Sequence, residues 1–306
     1  MKQLNSTERR FPLGESATLA CLLEVSVPKV GNVHRSADFD DATFYDFVVS
    51  ASSLGSVFDR ASDLAVGELV LESARATREA VGTNTNLGMI LLFAPLAKCE
   101  SDPQSEIKDV LRGLTLNDAQ CVTEAIRVAR PGGLGDVPSN DVRRESTDNQ
   151  LGLVELMKLA EDRDTIARQY ANGFREFFDI VFPIVASAFA SHRSLPESLV
   201  YAHLKIIAEI PDTLIARKCG TKVASECSTI AQRIIDELEV GSSEYHDALS
   251  DFDFWLRSDG HKRNPGTSAD LLAAALFVGL RWGSLSREKL NKALERSRDK
   301  SAERME

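Results

Sequence analysis

The stretch Asn264-Pro265-Gly266-Thr267-Ser268-Ala269-Asp270-Leu271-Leu272-Ala273 joins a polar turn directly to an apolar segment that continues to Leu280. The Pro-Gly pair ends the preceding element, and Thr267 with Asp270 fits the capping box of a new helix. Most of the chain repeats apolar residues at the 3.6-residue helical period, as in Val223, Cys227, Ile230, Ile234 and Leu238. The sequence therefore predicts an all-α fold, a single compact multi-helix domain with its loops clustered at helix ends.

The periodic segments indicate roughly a dozen helices and no convincing strand. Residues 87–93 fit a buried strand or a buried helix, and the surrounding pattern favours a helix. The longest apolar stripe runs through residues 156–181, and Pro183 is expected to kink or end it. We expect residues 1–283 to form the helical domain and residues 284–306 a charged C-terminal helix or tail that frays. The polar stretch 131–150 is either a domain linker or a loop that covers a substrate.

Composition excludes several functional classes. The net charge of −10 argues against a nucleic-acid partner, but a small nucleotide needs only a local basic pocket. The longest apolar run, near residues 87–97, is too short to cross a membrane, and the polar first eleven residues do not resemble a signal peptide. Five cysteines without a CxxC pair suggest a reducing cytoplasm. We find no HExxH, GxSxG, Walker A or GxGxxG motif.

The first polar loop reads Glu24-Val25-Ser26-Val27-Pro28-Lys29-Val30-Gly31-Asn32-Val33-His34-Arg35. Its basic side chains and a flexible glycine could wrap a triphosphate. A solvated connection between two helices, stopped by the proline, explains the same residues. Glu24 stands on the preceding helix, where it is a candidate base or metal ligand; a lone acidic residue there is more often a surface or capping group.

Two further loops precede apolar helices. In Gly82-Thr83-Asn84-Thr85-Asn86-Leu87-Gly88 one polar residue is a natural N-cap, and the free N–H groups of the helix start would also attract an anion. In Asp212-Thr213-Leu214-Ile215-Ala216-Arg217-Lys218-Cys219-Gly220 an acidic residue is followed by two cations. Capping alone accounts for the first loop as well as phosphate binding does.

A cluster of acidic residues, Asp38, Asp40 and Asp41, could hold a metal ion. Acidic residues ahead of a helix are equally well explained by the helix dipole. Asp270 carries the same ambiguity, because it could cap its helix or hold Mg²⁺. The acidic residues at 68 and 72 are a weaker candidate.

Taken together, these loops resemble the motifs of the triphosphoribosyl-dephospho-coenzyme A synthase family. The family patterns EVxxxPKPGLVD, DxDFxxF, NTHKG, DTNxxxRGG and SPGGSADLLA correspond here to residues 24–33, 41–47, 84–88, 212–220 and 264–273. The resemblance spans about residues 18–281, and its first and last motifs are the most specific. Three positions depart from the pattern: Thr43 replaces an acidic residue, Asn86-Leu87 replaces His-Lys, and Cys219 replaces a glycine.

The resemblance implies a transferase that moves the triphosphoribosyl group of ATP, with Mg²⁺, onto a hydroxyl of 3′-dephospho-coenzyme A and releases adenine. It implies three catalytic candidates, Glu24, Asp41 and Asp212. The metal candidates, taken from the acidic residues themselves, are Asp38, Asp41 and Asp270. The candidate nucleotide or phosphate contacts within the motifs are Lys29, Gly31, Asn32, Asn84, Thr85, Gly88, Arg217, Lys218, Gly220, Gly266 and Ser268, and His34 and Lys262 are added from residues beside the first and last motifs. No nucleic acid or membrane is expected as a partner, and a homo-oligomer is left open.

The three departures suggest a divergent branch. We therefore expect poor turnover with dephospho-coenzyme A, and keep as alternatives a ribosyl or phosphoribosyl transferase of another coenzyme pathway, such as pterin biosynthesis, and a non-catalytic nucleotide-binding protein. A replacement cation near residues 261–263 would instead preserve the family reaction.

Overall fold

The computed structural model describes residues 10–130, 151–191 and 193–303, with residues 299–303 as backbone alone. The predicted polar stretch 131–150 lies outside the described residues. Within the described part the chain forms fifteen α-helices and one π-helical turn at Phe177–Val181. The helices are α1 Leu13–Val25, α2 Phe44–Phe58, α3 Val66–Val81, α4 Leu87–Leu96, α5 Pro103–Arg112, α6 Leu116–Ala129, α7 Leu153–Lys158, α8 Thr165–Asn172, α9 Phe182–Ala190, α10 Leu195–Glu209, α11 Thr213–Cys219, α12 Thr221–Glu237, α13 Ser243–Arg257, α14 Gly266–Trp282 and α15 Arg287–Glu303.

The predicted all-α fold is confirmed. One isolated bridge between His34 and Ala37 is the only β-structure that the described ranges contain. Residues 87–93 are helical, as the surrounding pattern predicts. No helix in the described part of the chain is long and apolar enough to cross a membrane.

Two helices form the centre of the molecule because they are apolar on every side. Every residue of α4 except Gly88 is buried, and α14 is buried continuously from Leu271 to Leu280. The rings of Phe93 and Phe277 stack at 4.7 Å between centroids, and Phe58 meets both edge-on. A helix without a polar face is stable only when others surround it, so α1, α3, α9 and α10 pack around this pair.

A second, smaller core lies among α10, α11, α12 and α13. Val30, from the first polar loop, belongs to this core and ties the loop to it. The stripe of residues 156–181 is not one helix, contrary to prediction. It is divided into α7, α8 and the π-helical turn, because Gly173 ends α8 in the left-handed region and Phe174 follows it at a φ of 58°.

The C-terminal helix α15 is less solvated than its charge density suggests. Ala293 is buried against the main core, and Leu290 and Leu294 pack beside it. The backbone N–H of Leu195 donates to the hydroxyl of Ser297 at 3.2 Å, which ties α15 to the start of α10. The proposed boundary at residue 283 remains a prediction.

Candidate functional site

A cavity of about 690 Å³ opens where the N-terminal ends of α4 and α14 meet. The helices α1, α6, α8 and α11 contribute to its walls, as do the loops before α2 and after α13. The sequence-predicted site residues that line it are Glu24, Asn32, Asp41, Asn84, Thr85, Gly88, Arg217, Lys218, Lys262, Gly266 and Asp270. Five loops that are distant in sequence therefore meet at one cavity.

Asp270 occupies the point where the two central helices approach each other. A methyl group placed on Gly88 would meet Oδ2 of Asp270 at 2.1 Å and Cδ1 of Ile166 at 2.7 Å. Only a residue without a side chain allows the first turn of α4 to lie this close to the carboxylate. The Asp270 carboxylate lines the cavity and makes no hydrogen bond or ion pair with the described residues.

Burial raises the pKa of the Asp270 carboxyl well above its ordinary value. Nearby carboxylates act in the same direction, those of Glu24, Asp212 and Asp164 in decreasing order. Arg217 opposes the rise. A carboxylate with a raised pKa is a stronger base than an ordinary aspartate, which suits proton transfer near neutral pH.

Glu24 lies beside Asp270 and is held by a buried ion pair. Its Oε1 is 3.0 Å from Nζ of Lys29, and that ammonium also donates to the backbone carbonyl of Glu24. Burial raises the pKa of Glu24 and lowers that of Lys29, while their attraction opposes both shifts. Lys29 is fully buried and does not line the cavity, so the structure does not support it as a phosphate ligand.

The rest of the first polar loop is fixed by α13. The N–H of Gly31 donates to Asp253 at 2.6 Å, and Arg257 donates to the carbonyl of Asn32. Gly31 has a φ of 72° and packs against Pro265, which requires glycine here. The predicted phosphate roles of Gly31 and His34 are not supported, since neither lines the cavity. Burial lowers the pKa of His34 to about 4, so its ring is neutral at pH 7.

Asn32 lines the cavity next to a buried histidine. Its Nδ2 lies 3.1 Å from Nε2 of His203. Burial lowers the pKa of His203 well below its ordinary value, so the ring is neutral and Nε2 accepts this hydrogen bond. His203 therefore orients Asn32 toward the cavity.

Asp212 is a double helix cap and not a cavity residue. Its Oδ1 accepts from the backbone N–H groups of Leu214 and Ile215, at 2.8 and 3.1 Å. Its Oδ2 accepts from the N–H and the hydroxyl of Ser268, at 2.7 and 2.8 Å. Burial raises the pKa of Asp212, and these four hydrogen bonds oppose that rise.

This arrangement corrects three predictions. The predicted capping box of Thr267 and Asp270 is wrong, because the N-cap position of α14 is Pro265 and the cap comes from Asp212. Both donors of Ser268 are occupied by Asp212, so Ser268 is not available to a phosphate. Asp212 is buried behind the cavity wall, which excludes direct contact with a substrate there.

The N-terminus of α4 does face the cavity. Asn84 accepts from the N–H of Leu87 at 3.1 Å, but the N–H groups of Gly88 and Met89 have no acceptor among the described residues. Thr85 donates to Ser50, and the buried Nδ2 of Asn86 has no hydrogen-bond partner in the described part of the chain. Free donors at a helix start form an anion site.

Four cations line the cavity: Arg163, Arg217, Lys218 and Lys262. Arg217 is paired with Asp164 at 2.8 Å, and it also donates to the carbonyl of Arg163. The Lys218 ammonium has no ion-pair or hydrogen-bond partner among the described residues and is exposed. Gly220, the last residue of the same motif, ends α11 and does not line the cavity.

The three acidic residues ahead of α2 do not share one location in the structure. Asp38 accepts from the N–H of Phe44 at 2.6 Å and does not line the cavity, so it serves the helix start. Asp40 and Asp41 line the cavity, and neither carboxylate has a hydrogen-bond or ion-pair partner among the described residues. The described residues contain no cluster of three metal-binding side chains. Mg²⁺ commonly uses one or two carboxylates together with substrate phosphates, and Asp40 with Asp41 fits that donor set.

One wall of the cavity was not foreseen from the sequence. It is formed by apolar residues of α6, α7 and α8, among them Val122, Ile126, Leu153, Leu156, Met157 and Ile166. Asp164 and Arg163 were also missed. The signal for Asp164 was its position before α8, where it caps the N–H groups of Ile166 and Ala167.

The CitG family, described as ATP:dephospho-CoA triphosphoribosyl transferase, matches residues 11–288. The chain belongs to this family. The expected enzyme class, a transferase, is thereby confirmed. The match favours dephospho-CoA as the acceptor over the precursor of another coenzyme and over a non-catalytic nucleotide-binding role.

A solved structure supports the fold of this triphosphoribosyl transferase. A protein from Archaeoglobus fulgidus, provisionally described as a triphosphoribosyl-dephospho-CoA synthase, is similar at a TM-score of 0.60 and 24% identity. The similarity covers 76% of this chain and 98% of that one. No curated protein matches the transferase.

Two of the departures from the family pattern have local explanations. Thr43 is the N-cap of α2, where it forms a capping box with Asp46. Leu87 begins α4 and is buried, with its backbone N–H held by Asn84. The cavity nevertheless contains cations, among them Lys218 on α11 and Lys262 in the loop after α13.

Proposed function

We propose that this cavity binds ATP and dephospho-CoA together and that Asp270 takes the proton from the attacking 2′-hydroxyl. The observation that carries the proposal is the unpartnered Asp270 carboxylate, which has a raised pKa and faces the cavity beside Gly88. Of the other carboxylates that line the cavity, Glu24 and Asp164 are held in ion pairs, and Asp40 and Asp41 are exposed.

In the proposed reaction the 2′-oxygen of dephospho-CoA forms a bond to C1 of the ATP ribose. The bond from C1 to N9 of adenine breaks, and its electron pair leaves with adenine, which takes up a proton from water. The hydroxyl proton passes to Asp270. Displacement at an anomeric carbon develops positive charge on the sugar, and the buried Glu24 carboxylate would stabilise that charge.

The triphosphate would bind along Arg163, Lys218 and Lys262, with the N–H groups at the start of α4 as further donors. Asp40 and Asp41 would hold Mg²⁺, which would neutralise part of the triphosphate charge. Asp270, predicted either to cap its helix or to hold Mg²⁺, is assigned to proton transfer instead because its carboxylate has no partner among the described residues and its pKa is raised.

The direct test of this function is adenine release. The protein is incubated with ATP, Mg²⁺ and dephospho-CoA, and adenine is separated by chromatography. Because the family match favours dephospho-CoA as the acceptor, the poor turnover expected from the three departures is not retained. We expect release on the order of 1 per second or faster, dependent on the acceptor, and none with the 2′-deoxy form of dephospho-CoA. Adenine release that is equally fast without an acceptor would contradict the proposed transfer.

Substitution Lys218→Ala is expected to weaken ATP binding by about 1–3 kcal/mol, because a charged hydrogen bond to the triphosphate is lost. Lys222→Ala is the matched control, since Lys222 is exposed nearby on α12 and does not line the cavity. Isothermal titration calorimetry with Mg-ATP measures both. Equal affinities of the two variants would remove Lys218 from the site.

Substitution Gly88→Ala is expected to lower the rate of adenine release by about tenfold or more, since the new methyl group displaces the Asp270 carboxylate. Gly82→Ala is not a suitable control because Gly82 has a φ of 71°. Gly113→Ala is suitable, since Gly113 has an ordinary φ and an added methyl group would make only van der Waals contacts at 3.5 and 3.6 Å. Circular dichroism establishes that the variants are folded. Wild-type turnover by a folded Gly88→Ala protein would show that the position of Asp270 is not critical.

A further inference from the structure

The apolar wall of the cavity offers a phosphate no positively charged partner from α6 or α7. The lining contributed by α6 and α7 contains no charged side chain, and its one polar side chain is Thr123. The cavity cations come instead from α11, the turn before α8 and the loop after α13. A triphosphate is therefore favoured on one wall and disfavoured on the other.

Asp270 lies at the boundary between these walls. The position of Gly88 brings together the Asp270 carboxylate and Ile166, whose side chain belongs to the apolar lining. A bond formed beside Asp270 therefore has cations to one side and an apolar surface to the other.

The two substrates match this division. From the reacting C1 and 2′-oxygen, one arm is the ATP triphosphate, and the other leads through the diphosphate of dephospho-CoA to its pantetheine chain. Pantetheine carries two methyl groups, a hydroxyl, two amides and a thiol, and no charge. The Thr123 hydroxyl donates to the carbonyl of Ala119 at 2.8 Å, which leaves its oxygen free to accept from an amide N–H.

We propose that the surface formed by Val122, Thr123, Ile126, Leu156 and Met157 binds the pantetheine arm of dephospho-CoA and selects this acceptor over nucleotides without the arm. This inference rests on the proposed function. It adds a specificity determinant to it, since ADP shares the adenosine diphosphate part of dephospho-CoA and has the same 2′-hydroxyl.

The test compares equilibrium binding of dephospho-CoA and ADP, so it does not depend on turnover. Carbocyclic ATP with Mg²⁺ is present at saturation, because it fills the donor site and cannot react. The test variant is Ile126→Trp, which places a large ring on the apolar wall of the cavity. The control is Leu116→Trp, which adds the same ring at an exposed position of the same helix.

We expect the wild-type protein and Leu116→Trp to bind dephospho-CoA at least about tenfold more tightly than ADP. Ile126→Trp should lose most of this preference while its affinity for ADP stays within about twofold. Equal wild-type affinities for the two ligands would overturn the inference, and that result does not require a folded variant. Equal losses of ADP and dephospho-CoA affinity in a folded Ile126→Trp would also overturn it.

Failure of the proposed function gives a different result. If ATP were not the donor, adenine release would be absent while the preference for dephospho-CoA over ADP persisted. If the arm were bound elsewhere, adenine release would continue in Ile126→Trp with an unchanged KM for dephospho-CoA.

Discussion

Substitution Asp270→Asn is expected to lower the rate of adenine release by roughly 10²–10⁴-fold, the usual contribution of a general base. Asparagine has nearly the same shape, so substrate binding should change far less than turnover. The matched control is Asp251→Asn, which removes the same charge from an exposed position on α13. Steady-state rates of adenine formation measure both, and a rate for Asp270→Asn within about threefold of wild type would remove the residue from catalysis.

The same substitution is expected to stabilise the protein at neutral pH. Because the folded state raises the pKa of Asp270, the folded protein holds that proton more tightly than the unfolded chain. Ionisation of Asp270 therefore costs stability as pH rises above the unfolded value near 4, and asparagine avoids this cost. Thermal unfolding at pH 7 should give a higher midpoint for Asp270→Asn than for wild type. A lower midpoint would mean that contacts in the folded protein stabilise the ionised carboxylate of Asp270 and offset the cost of its ionisation.

The raised pKa also determines the pH dependence of turnover. Asp270 accepts a proton only when ionised, so kcat should fall on acidification at a pH above the ordinary aspartate range. Activity that persists unchanged to about pH 4 would contradict the assignment.

Substitution Asp212→Ala has the largest expected effect on stability, a loss of about 3 kcal/mol or more. The carboxylate accepts four hydrogen bonds and caps both α11 and α14, so its removal leaves buried donors without partners. Asp102→Ala is the comparison, because Asp102 caps α5 through one exposed hydrogen bond and should cost about 1 kcal/mol. Chemical denaturation measures both free energies of unfolding. Equal losses would show that the double cap is not a main source of stability.

The helical fold could be predicted because the helical spacing of apolar residues is visible within each short stretch of sequence. The resemblance to the family, carried by polar loops at helix ends, indicated which loops belong to one site. Glu24, Asp41, Lys218 and Asp270 were identified in this way, and all four line the cavity.

The orientation of individual side chains was beyond sequence reasoning. Lys29 and Lys218 both stand in polar stretches of the sequence. In the structure Lys29 is buried against Glu24, whereas Lys218 is exposed in the cavity. Asp212 was predicted to be catalytic from its place in a family motif. Its capping role could not be seen in the sequence because Ser268, whose N–H donates to it, lies 56 residues further along the chain. The apolar wall was missed because its residues have the spacing of ordinary core helices.

The most direct measurement is a crystal structure with carbocyclic ATP, Mg²⁺ and dephospho-CoA bound. We predict the acceptor 2′-hydroxyl within about 2.6–3.2 Å of an Asp270 carboxylate oxygen, the triphosphate against Lys218, and the pantetheine arm along α6 and α7. Both substrates bound in the cavity with Asp270 remote from the 2′-hydroxyl, or substrates bound outside the cavity, would contradict this prediction.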